Sequence, residues 1–315
     1  MRAIVLDHDS ELRLTGLDRP EPGPGEVAVQ VTHAGLQWGD VLLKDGFFPV
    51  PRPFVPGFEA AGRIGAVGAG VPAERIGEAV TVLATGGAFA QTLVVPAEFA
   101  LPVGELPLAT AAGFGWSTPT AYDLVHHVAR VQPGDTVLVH AAAGGVGTMA
   151  AQFARRAGAG RLVGVVGSPE RAAYAAEFGY DQVVLRADFP AALGEQRFDV
   201  VLDPVGGRTR SRSLELLAPH GRLALYGVLD AAEPVAADTT ALLMAGQSVL
   251  GYSSDLLYRT RPDRFAASAR AALAEVTAGH VRIDVTAEYP VEDLARAVEQ
   301  LRAGAVLGKA VLRLG

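Results

Sequence analysis

The chain has 315 residues, half of them apolar and 19% charged, and carries a formal net charge of −7. This composition is typical of a folded globular protein, and the acidic balance argues against a nucleic-acid or anionic-membrane partner. There is no cysteine, which excludes disulfides, thiolate metal sites and cysteine nucleophiles and fits a cytoplasmic protein. Neither a signal peptide nor a membrane span is expected. The length favours two domains.

The first hundred or so residues contain short apolar runs separated by glycine- and proline-rich turns. Such a pattern predicts a β domain of short strands, in the form of a partly closed barrel. The runs that we assign as strands are 26–31, 60–67, 79–83 and 90–95.

From Trp116 to about Tyr252, apolar strands alternate with helical patterns, which predicts a doubly wound parallel sheet covered on both faces. The predicted strands are 136–140, 162–166, 182–185, 199–202, 222–226 and 248–252, and the predicted helices are 146–157, 169–178, 208–217 and 239–245. The last sixty or so residues contain helices at 264–278 and 291–303 and strands at 284–289 and 309–314. We expect them to pack onto the first domain, so the predicted domains are 1–115 with 253–315, and 116–252.

The strand at 136–140 runs into a glycine-containing turn and then an alanine-rich helix, as a dinucleotide-binding fingerprint requires. Gly144 would let the backbone approach a pyrophosphate, and Gly147 would let the helix pack close to the strand. The N–H groups of Gly145 and Val146 would face the phosphates at the positive end of the helix. Ala142 stands where the fingerprint has its first glycine.

The strand at 162–166 predicts which dinucleotide binds. An NAD site places a carboxylate at the tip of this strand, but here the strand is followed by Gly167, Ser168, Pro169, Glu170 and Arg171. Ser168 and Arg171 suit a 2′-phosphate, which predicts NADPH as the cofactor. Ser168 is also expected to cap the following helix, with proline at its first position.

Together with these motifs, several other segments resemble the zinc-independent quinone oxidoreductase branch of the medium-chain dehydrogenase/reductase superfamily. The resemblance implies a GroES-like β-barrel substrate domain, a Rossmann domain and a cleft between them. It also implies a homodimer formed by edge pairing of the strand at 248–252. The segments that carry it are 35–62, 119–122, 134–147, 167–171, 203–207 and Gly308-Lys309.

The two positions that would ligate zinc in related alcohol dehydrogenases are occupied by Gln37 and Phe58. Phenylalanine cannot coordinate a metal, so no zinc is expected. His33 and His140 are expected to be packed or capped residues rather than ligands.

Without a metal, the expected reaction is hydride transfer to a quinone or to the C=C bond of an enone. We predict catalytic roles for Gln37 and for Asp40, which would orient Gln37 or the cofactor or would serve as a structural cap. The family tyrosine is replaced by Phe48, so water, the cofactor ribose or Gln37 would supply the proton. Substrate contacts, or alternatively barrel core, are predicted for the aromatic residues Trp38, Phe47, Phe48 and Phe54.

Further cofactor contacts are expected at the ends of the nucleotide-domain strands. Thr120 matches a family position near the nicotinamide, and Tyr226 and Gly227 follow a predicted strand. Lys309 resembles a C-terminal family lysine near the cofactor, with a surface lysine as the alternative. Asp203 is a strand-end residue or a helix cap.

The predicted function is therefore NADPH-dependent, zinc-independent reduction of a small-molecule quinone or α,β-unsaturated carbonyl compound. One alternative is an enoyl reductase or reductive cyclase that tailors a polyketide-like secondary metabolite. Another is a non-catalytic NADPH-binding sensor.

Overall fold

The computed structural model describes residues 1–47, 49–230 and 233–315. The chain divides into two compact units, one formed by Met1–Pro119 with Pro262–Gly315 and the other by Thr120–Arg261. The second unit is thus an insertion in the first. Its bounds lie four and nine residues beyond the predicted 115/116 and 252/253 junctions.

The strands and helices are numbered in chain order. The strands are β1 (Arg2–Leu6), β2 (Leu12–Gly16), β3 (Glu26–Leu36), β4 (Glu59–Val67), β5 (Ala79–Leu83), β6 (Thr92–Pro96), β7 (Ala100–Pro102), β8 (Thr136–His140), β9 (Arg161–Val166), β10 (Gln182–Leu185), β11 (Phe198–Asp203), β12 (Leu217–Leu225), β13 (Ser248–Gly251), β14 (Val285–Pro290) and β15 (Lys309–Arg313). The helices are α1 (Trp38–Lys44), α2 (Leu108–Ala112), α3 (Ser117–Asp123), α4 (Gly145–Arg156), α5 (Pro169–Ala176), α6 (Gly207–Glu215), α7 (Thr239–Ala245), α8 (Ser254–Thr260), α9 (Pro262–Thr277) and α10 (Leu294–Arg302). None of the described helices is long and apolar enough to cross a membrane.

The first unit is built on a mainly antiparallel sheet with the strand order β14-β15-β3-β4-β5-β7, in which β6 also pairs with β3. Val27, Val29 and Val31 alternate along β3 and are buried in the barrel core. This is the period of two that a half-buried strand requires. The last strand, β15, pairs with β3 through Ala310 opposite Leu36, so the C-terminal segment returns to this unit as predicted.

Within the described residues, the second unit has a parallel sheet with the strand order β10-β9-β8-β11-β12-β13. This is the order of dinucleotide-binding sheets, in which successive strands run outward in both directions from β8. Apolar strands such as β8, which has four fully buried positions out of five, fit a sheet covered on both faces. The predicted fold class, a Rossmann sheet with a GroES-like β domain, is confirmed. The switch point at the carboxyl end of β8 is where such sheets bind their ligands.

Candidate functional site

The glycine turn joins β8 to α4 in the second unit. Ala141 adopts a left-handed conformation with φ of 54°, and Gly144 is the residue before the first turn of α4. A Cβ atom at Gly147 would lie 2.5 Å from the carbonyl oxygen of Ala141 and 2.7 Å from that of Ala142. Only glycine therefore lets α4 approach β8 this closely, which confirms the packing reason given for Gly147.

The first turn of α4 provides the groups that suit a phosphate. Gly145 and Val146 are half-buried, and N–H groups in a first helical turn have no acceptor within the helix. Gly144 precedes the helix, and its N–H donates to the carbonyl oxygen of Ala141 at 2.9 Å. Ala142 is different, because its N–H donates to the carbonyl oxygen of Val165 at 3.1 Å and its side chain is fully buried. Neither its amide nor its methyl group is therefore available to a cofactor.

His140 is the last residue of β8 and directly precedes the glycine turn. It is fully buried, with Nε2 2.8 Å from Ser213 Oγ. Ser213 donates its own hydrogen to the carbonyl oxygen of Thr209, so His140 Nε2 is the donor to Ser213. Burial lowers the pKa of His140 to about 4, and the ring is neutral at physiological pH. The expectation that His140 is a packed residue is confirmed.

Two guanidinium groups flank the end of β9. Ser168 Oγ accepts from the N–H of Arg171 at 3.3 Å and caps α5, with Pro169 in the first turn, as predicted. Burial and the charge of the nearby Arg186 lower the pKa of Arg171, although the charge of Glu170 acts to raise it. Arg186 follows β10 and reaches Gly167, where its Nη2 lies 3.9 Å from the position that a Cβ would take. A phosphate dianion would relieve the repulsion between these cations.

The loops after β11 and β12 are tied together by a buried carboxylate. Asp203 is fully buried and accepts from the N–H of Val205 at 2.6 Å and from Arg210 Nε at 2.8 Å. Arg210 Nη2 also donates to the carbonyl oxygen of Gly227 at 2.9 Å. Burial, with the charge of Asp203, raises the pKa of Tyr226 well above its ordinary value, so its phenol is neutral. Tyr226 and Gly227 are thus held at the carboxyl edge of the sheet.

A hydroxyl group at the end of the edge strand β13 completes this carboxyl edge. The Tyr252 hydroxyl donates to Asp123 Oδ2 at 2.7 Å, and the Tyr252 N–H donates to the carbonyl oxygen of Leu225 at 2.8 Å. Asp123 is the last residue of α3, three positions after Thr120, which is 6% exposed. A π-helical turn, a feature often found at functional sites, follows at Leu124–Val128.

In the first unit, Gln37 lies between the end of β3 and the start of α1. Its N–H donates to Asp40 Oδ2 at 2.9 Å, so Asp40 caps the start of α1. Asp40 is 4% exposed, and its Oδ1 has no hydrogen-bond partner among the described residues. Burial raises the pKa of Asp40 to about 8. The Gln37 N–H and the charge of Lys309 act against this rise, whereas the charge of Glu59 adds to it.

Lys309 is buried in the same unit. It is 3% exposed and forms an ion pair with Glu59, which is fully buried. Its Nζ also lies 3.1 Å from the carbonyl oxygen of Leu36 and 3.4 Å from Ser117 Oγ. The alternative of a surface lysine is therefore wrong.

The aromatic residues predicted to contact the substrate lie in different surroundings. Trp38 is half-buried and packs against the barrel core, whereas 55% of Phe47 is exposed. Phe54 lies against Gly86 and lines a surface cavity of about 300 Å³ beside β1 and β2. Phe48 lies outside the described residues. Trp38 thus follows the barrel-core alternative, and among the three aromatic residues that the structure describes here, Phe47 is the exposed one.

Comparison with known proteins gives the family. A model described as an alcohol dehydrogenase GroES-like domain matches residues 23–105, and one described as a zinc-binding dehydrogenase matches residues 145–274. A quinone oxidoreductase of Pseudomonas aeruginosa is 32% identical over 304 residues, covering 93% of this chain and 92% of the relative. The chain belongs to the quinone oxidoreductase branch of the medium-chain dehydrogenase/reductase superfamily.

Two further relatives bear on the chemistry. A 2-haloacrylate reductase of a Burkholderia species is 31% identical over 307 residues, covering 92% of this chain and 91% of the relative. The quinone oxidoreductase of Thermus thermophilus, whose structure was solved alone and with NADPH, is 32% identical with a TM-score of 0.85, and each chain is covered completely.

Sequence reasoning missed three residues of these sites. Nothing near Glu59 in the sequence marks it, because its buried partner lies 250 positions away. Arg186 follows β10, and the parallel pairing of β10 with β9 brings it beside Gly167. A rule that inspects the ends of both strands would have found it. Tyr252 was assigned only to the edge strand.

Proposed function

We propose that this chain is an NADPH-dependent oxidoreductase that transfers hydride to a quinone or to the C=C bond of an α,β-unsaturated carbonyl compound, without zinc. Similarity to a quinone oxidoreductase and to a 2-haloacrylate reductase over nine-tenths of the chain supports this. The observation that carries the proposal is the glycine turn before α4, where a Cβ at Gly147 would collide with two carbonyl oxygens. Neither a polyketide-tailoring enzyme nor a non-catalytic sensor is favoured by these relatives.

The second unit fits NADPH by its own chemistry. The N–H groups of Gly145 and Val146, both half-buried, would hold the pyrophosphate at the start of α4, and Gly144, which has no side chain, would let it approach the backbone. Arg171 and Arg186 would hold the 2′-phosphate beyond β9, because guanidinium groups bind phosphate through paired hydrogen bonds. In this proposal the adenosine half would lie over β9, and the nicotinamide half would lie over β11, β12 and β13, near Thr120, Tyr226 and Gly227.

The first unit would act on the substrate. Bound NADPH supplies a hydride, and its addition to a polarised C=C bond moves negative charge to the carbonyl oxygen. The half-buried Gln37 carboxamide would donate a hydrogen bond to that oxygen, and Phe47 would cover the apolar part of the substrate. The second hydrogen would enter as a proton from water or the cofactor ribose, because Phe48 carries no acidic hydrogen.

A homodimer is part of the proposal. The edge strand β13 has β12 as its partner on one side, and an open edge favours pairing with a second copy. In the adjacent α7, Leu243 and Met244 are 76% and 81% exposed, which fits an apolar interface. Leu243→Glu should convert the protein to a monomer in sedimentation experiments, whereas an unchanged mass would contradict this interface. The cytoplasmic location stays a prediction that cell fractionation would test.

Purified protein tests the activity directly. We expect it to consume NADPH with a quinone and with an enone. It should not consume NADPH with the matching saturated ketone, because that ketone has no conjugated C=C bond to accept the hydride. NADPH binding by calorimetry without consumption on any quinone or enone would contradict the reaction. Absence of NADPH binding to folded protein would contradict the cofactor assignment itself.

A further inference from the structure

The peptide group between Leu36 and Gln37 is held at both of its ends. Its carbonyl oxygen lies 3.1 Å from Lys309 Nζ, and its N–H donates to Asp40 Oδ2 at 2.9 Å. The C=O and N–H of a trans peptide point in opposite directions within one plane. A cation on one side and a carboxyl group on the other therefore fix the orientation of the plane from which the Gln37 Cα projects.

Lys309 is itself held by groups that leave it no hydrogen for a cofactor. An ammonium group has three N–H donors. Among the residues that the structure describes, three acceptors lie within reach, namely Glu59 Oε1, the Leu36 carbonyl oxygen and Ser117 Oγ. Only 3% of Lys309 is exposed. Its contacts therefore lie within the first unit.

Glu59, the first residue of β4, is the carboxylate that pairs with Lys309. Its Oε2 accepts from the N–H of Trp116 at 2.7 Å, so the carboxylate links Lys309 to the chain just before α3. A Cβ atom at Gly35 or at Gly115 would overlap Glu59. Glycine at both positions makes the space that this buried carboxylate occupies.

We propose that Lys309 is a positioning residue, which together with Asp40 fixes the peptide plane that precedes Gln37. The inference rests on the proposed function, in which the Gln37 carboxamide donates to the substrate oxygen. A displacement of about 1 Å at such a donor costs a large part of the rate, on the order of a hundredfold. The pair of Lys309 and Glu59 thus serves catalysis without touching the substrate, the cofactor or the reacting atoms.

The test compares Lys309→Met, Glu59→Gln and the double variant with wild type. Losing one partner of a buried ion pair is strongly destabilising, whereas replacing both is often neutral. We expect Lys309→Met to melt at a lower temperature and the double variant to recover most of that loss. The kcat with the quinone or enone should be at least tenfold below wild type in Lys309→Met and in the double variant. Both of these lack the ammonium group that contacts the Leu36 carbonyl oxygen. The Kd for NADPH should stay within twofold of wild type.

Lys44→Met is the matched control. Lys44 also pairs with a glutamate of the same unit, Glu299, at 3.2 Å, but here the lysine is only half-buried and the glutamate is exposed. This variant should keep wild-type kcat. If Lys309→Met is too unstable to purify, the charge-balanced double variant alone decides the question through its kcat at a verified folded fraction.

Three results would overturn the inference while leaving the proposed function intact. Recovery of both melting temperature and kcat in the double variant would make the pair purely structural. An NADPH Kd weakened tenfold or more by Lys309→Met would assign Lys309 to the cofactor. Wild-type kcat in Lys309→Met would remove its role. An inactive wild type would instead refute the proposed function.

Discussion

Asp40→Asn probes the cost of burying a carboxyl group beside an existing ion pair. Burial raises the pKa of Asp40 from an ordinary 3.8 to about 8. The folded chain therefore binds a proton that the unfolded chain releases, and the stabilisation from that proton is complete below pH 3.8 and lost as the pH rises to about 8. At about 1.4 kcal/mol per pH unit, the wild type should lose about 6 kcal/mol across this range.

Asparagine removes the titration while keeping an oxygen for the Gln37 N–H. Its amide nitrogen would be buried where Asp40 Oδ1 now has no partner among the described residues, which costs about 1–3 kcal/mol. The variant should therefore be as stable as wild type, or slightly less stable, near pH 5, and more stable by about 2 kcal/mol or more near pH 8.5. Urea unfolding at several pH values measures the difference.

Asp45→Asn is the control for this experiment. Asp45 follows α1 and is exposed, and its hydrogen bond with Arg302 lowers its pKa. Its contribution is present above an ordinary pKa of 3.8 and lost only as the pH falls below it. The difference between Asp45→Asn and wild type should thus be the same at pH 5 and pH 8.5. An Asp40→Asn difference that is equally independent of pH would refute the reasoning.

Three further predictions concern the second unit. Arg171→Ala and Arg186→Ala should each weaken NADPH binding about tenfold or more while changing NADH binding little, since each removes a charge-assisted contact of about 1.5–3 kcal/mol; equal losses for both cofactors in calorimetry would contradict the phosphate site. Gly147→Ala should abolish measurable NADPH binding or prevent folding, whereas Gly144→Ala, whose Cβ would meet its nearest neighbour at 3.3 Å, should fold normally by circular dichroism. Tyr252→Phe removes the donor to a buried carboxylate and should lower the free energy of unfolding by about 1–3 kcal/mol; no loss in denaturant titrations would show that the bond is compensated.

The sequence predicts the nucleotide domain almost element by element. The predicted bounds of β8, β10 and α7 match those observed. For α7 the reason is local, because Asp238 caps its start and Gly246 ends it in a left-handed conformation. The observed β12 begins five residues earlier than predicted, at Leu217. The pairing of β12 with β11 shifts register in this segment, and His220 has φ of 63°. Neither irregularity leaves a periodic pattern in a sequence.

The glycine turn and the capping serine could be predicted because their roles depend on neighbouring residues. The buried charges could not. Lys309 pairs with Glu59 across 250 positions, and pairing of β15 with β3 brings the lysine beside Leu36. The same residue types in the same order would be consistent with a surface lysine, so only the strand register determines the pairing. The expectations for the nucleotide turn thus depend on residues that are neighbours in the sequence, whereas the surroundings of Lys309 depend on which strands pair.

The buried ionisable groups of the first unit link the proposed chemistry to the stability of the fold. Asp40, Glu59 and Lys309 place two carboxyl groups and one ammonium group in a region that excludes water. Glu59 contacts the ammonium group directly, so Asp40 is the member that stays protonated near neutral pH, in agreement with its pKa of about 8. An apolar pair would cost less desolvation than Glu59 and Lys309, but it could not donate to the Leu36 carbonyl. The proposed positioning of Gln37 would therefore account for a buried ion pair that stability alone does not explain.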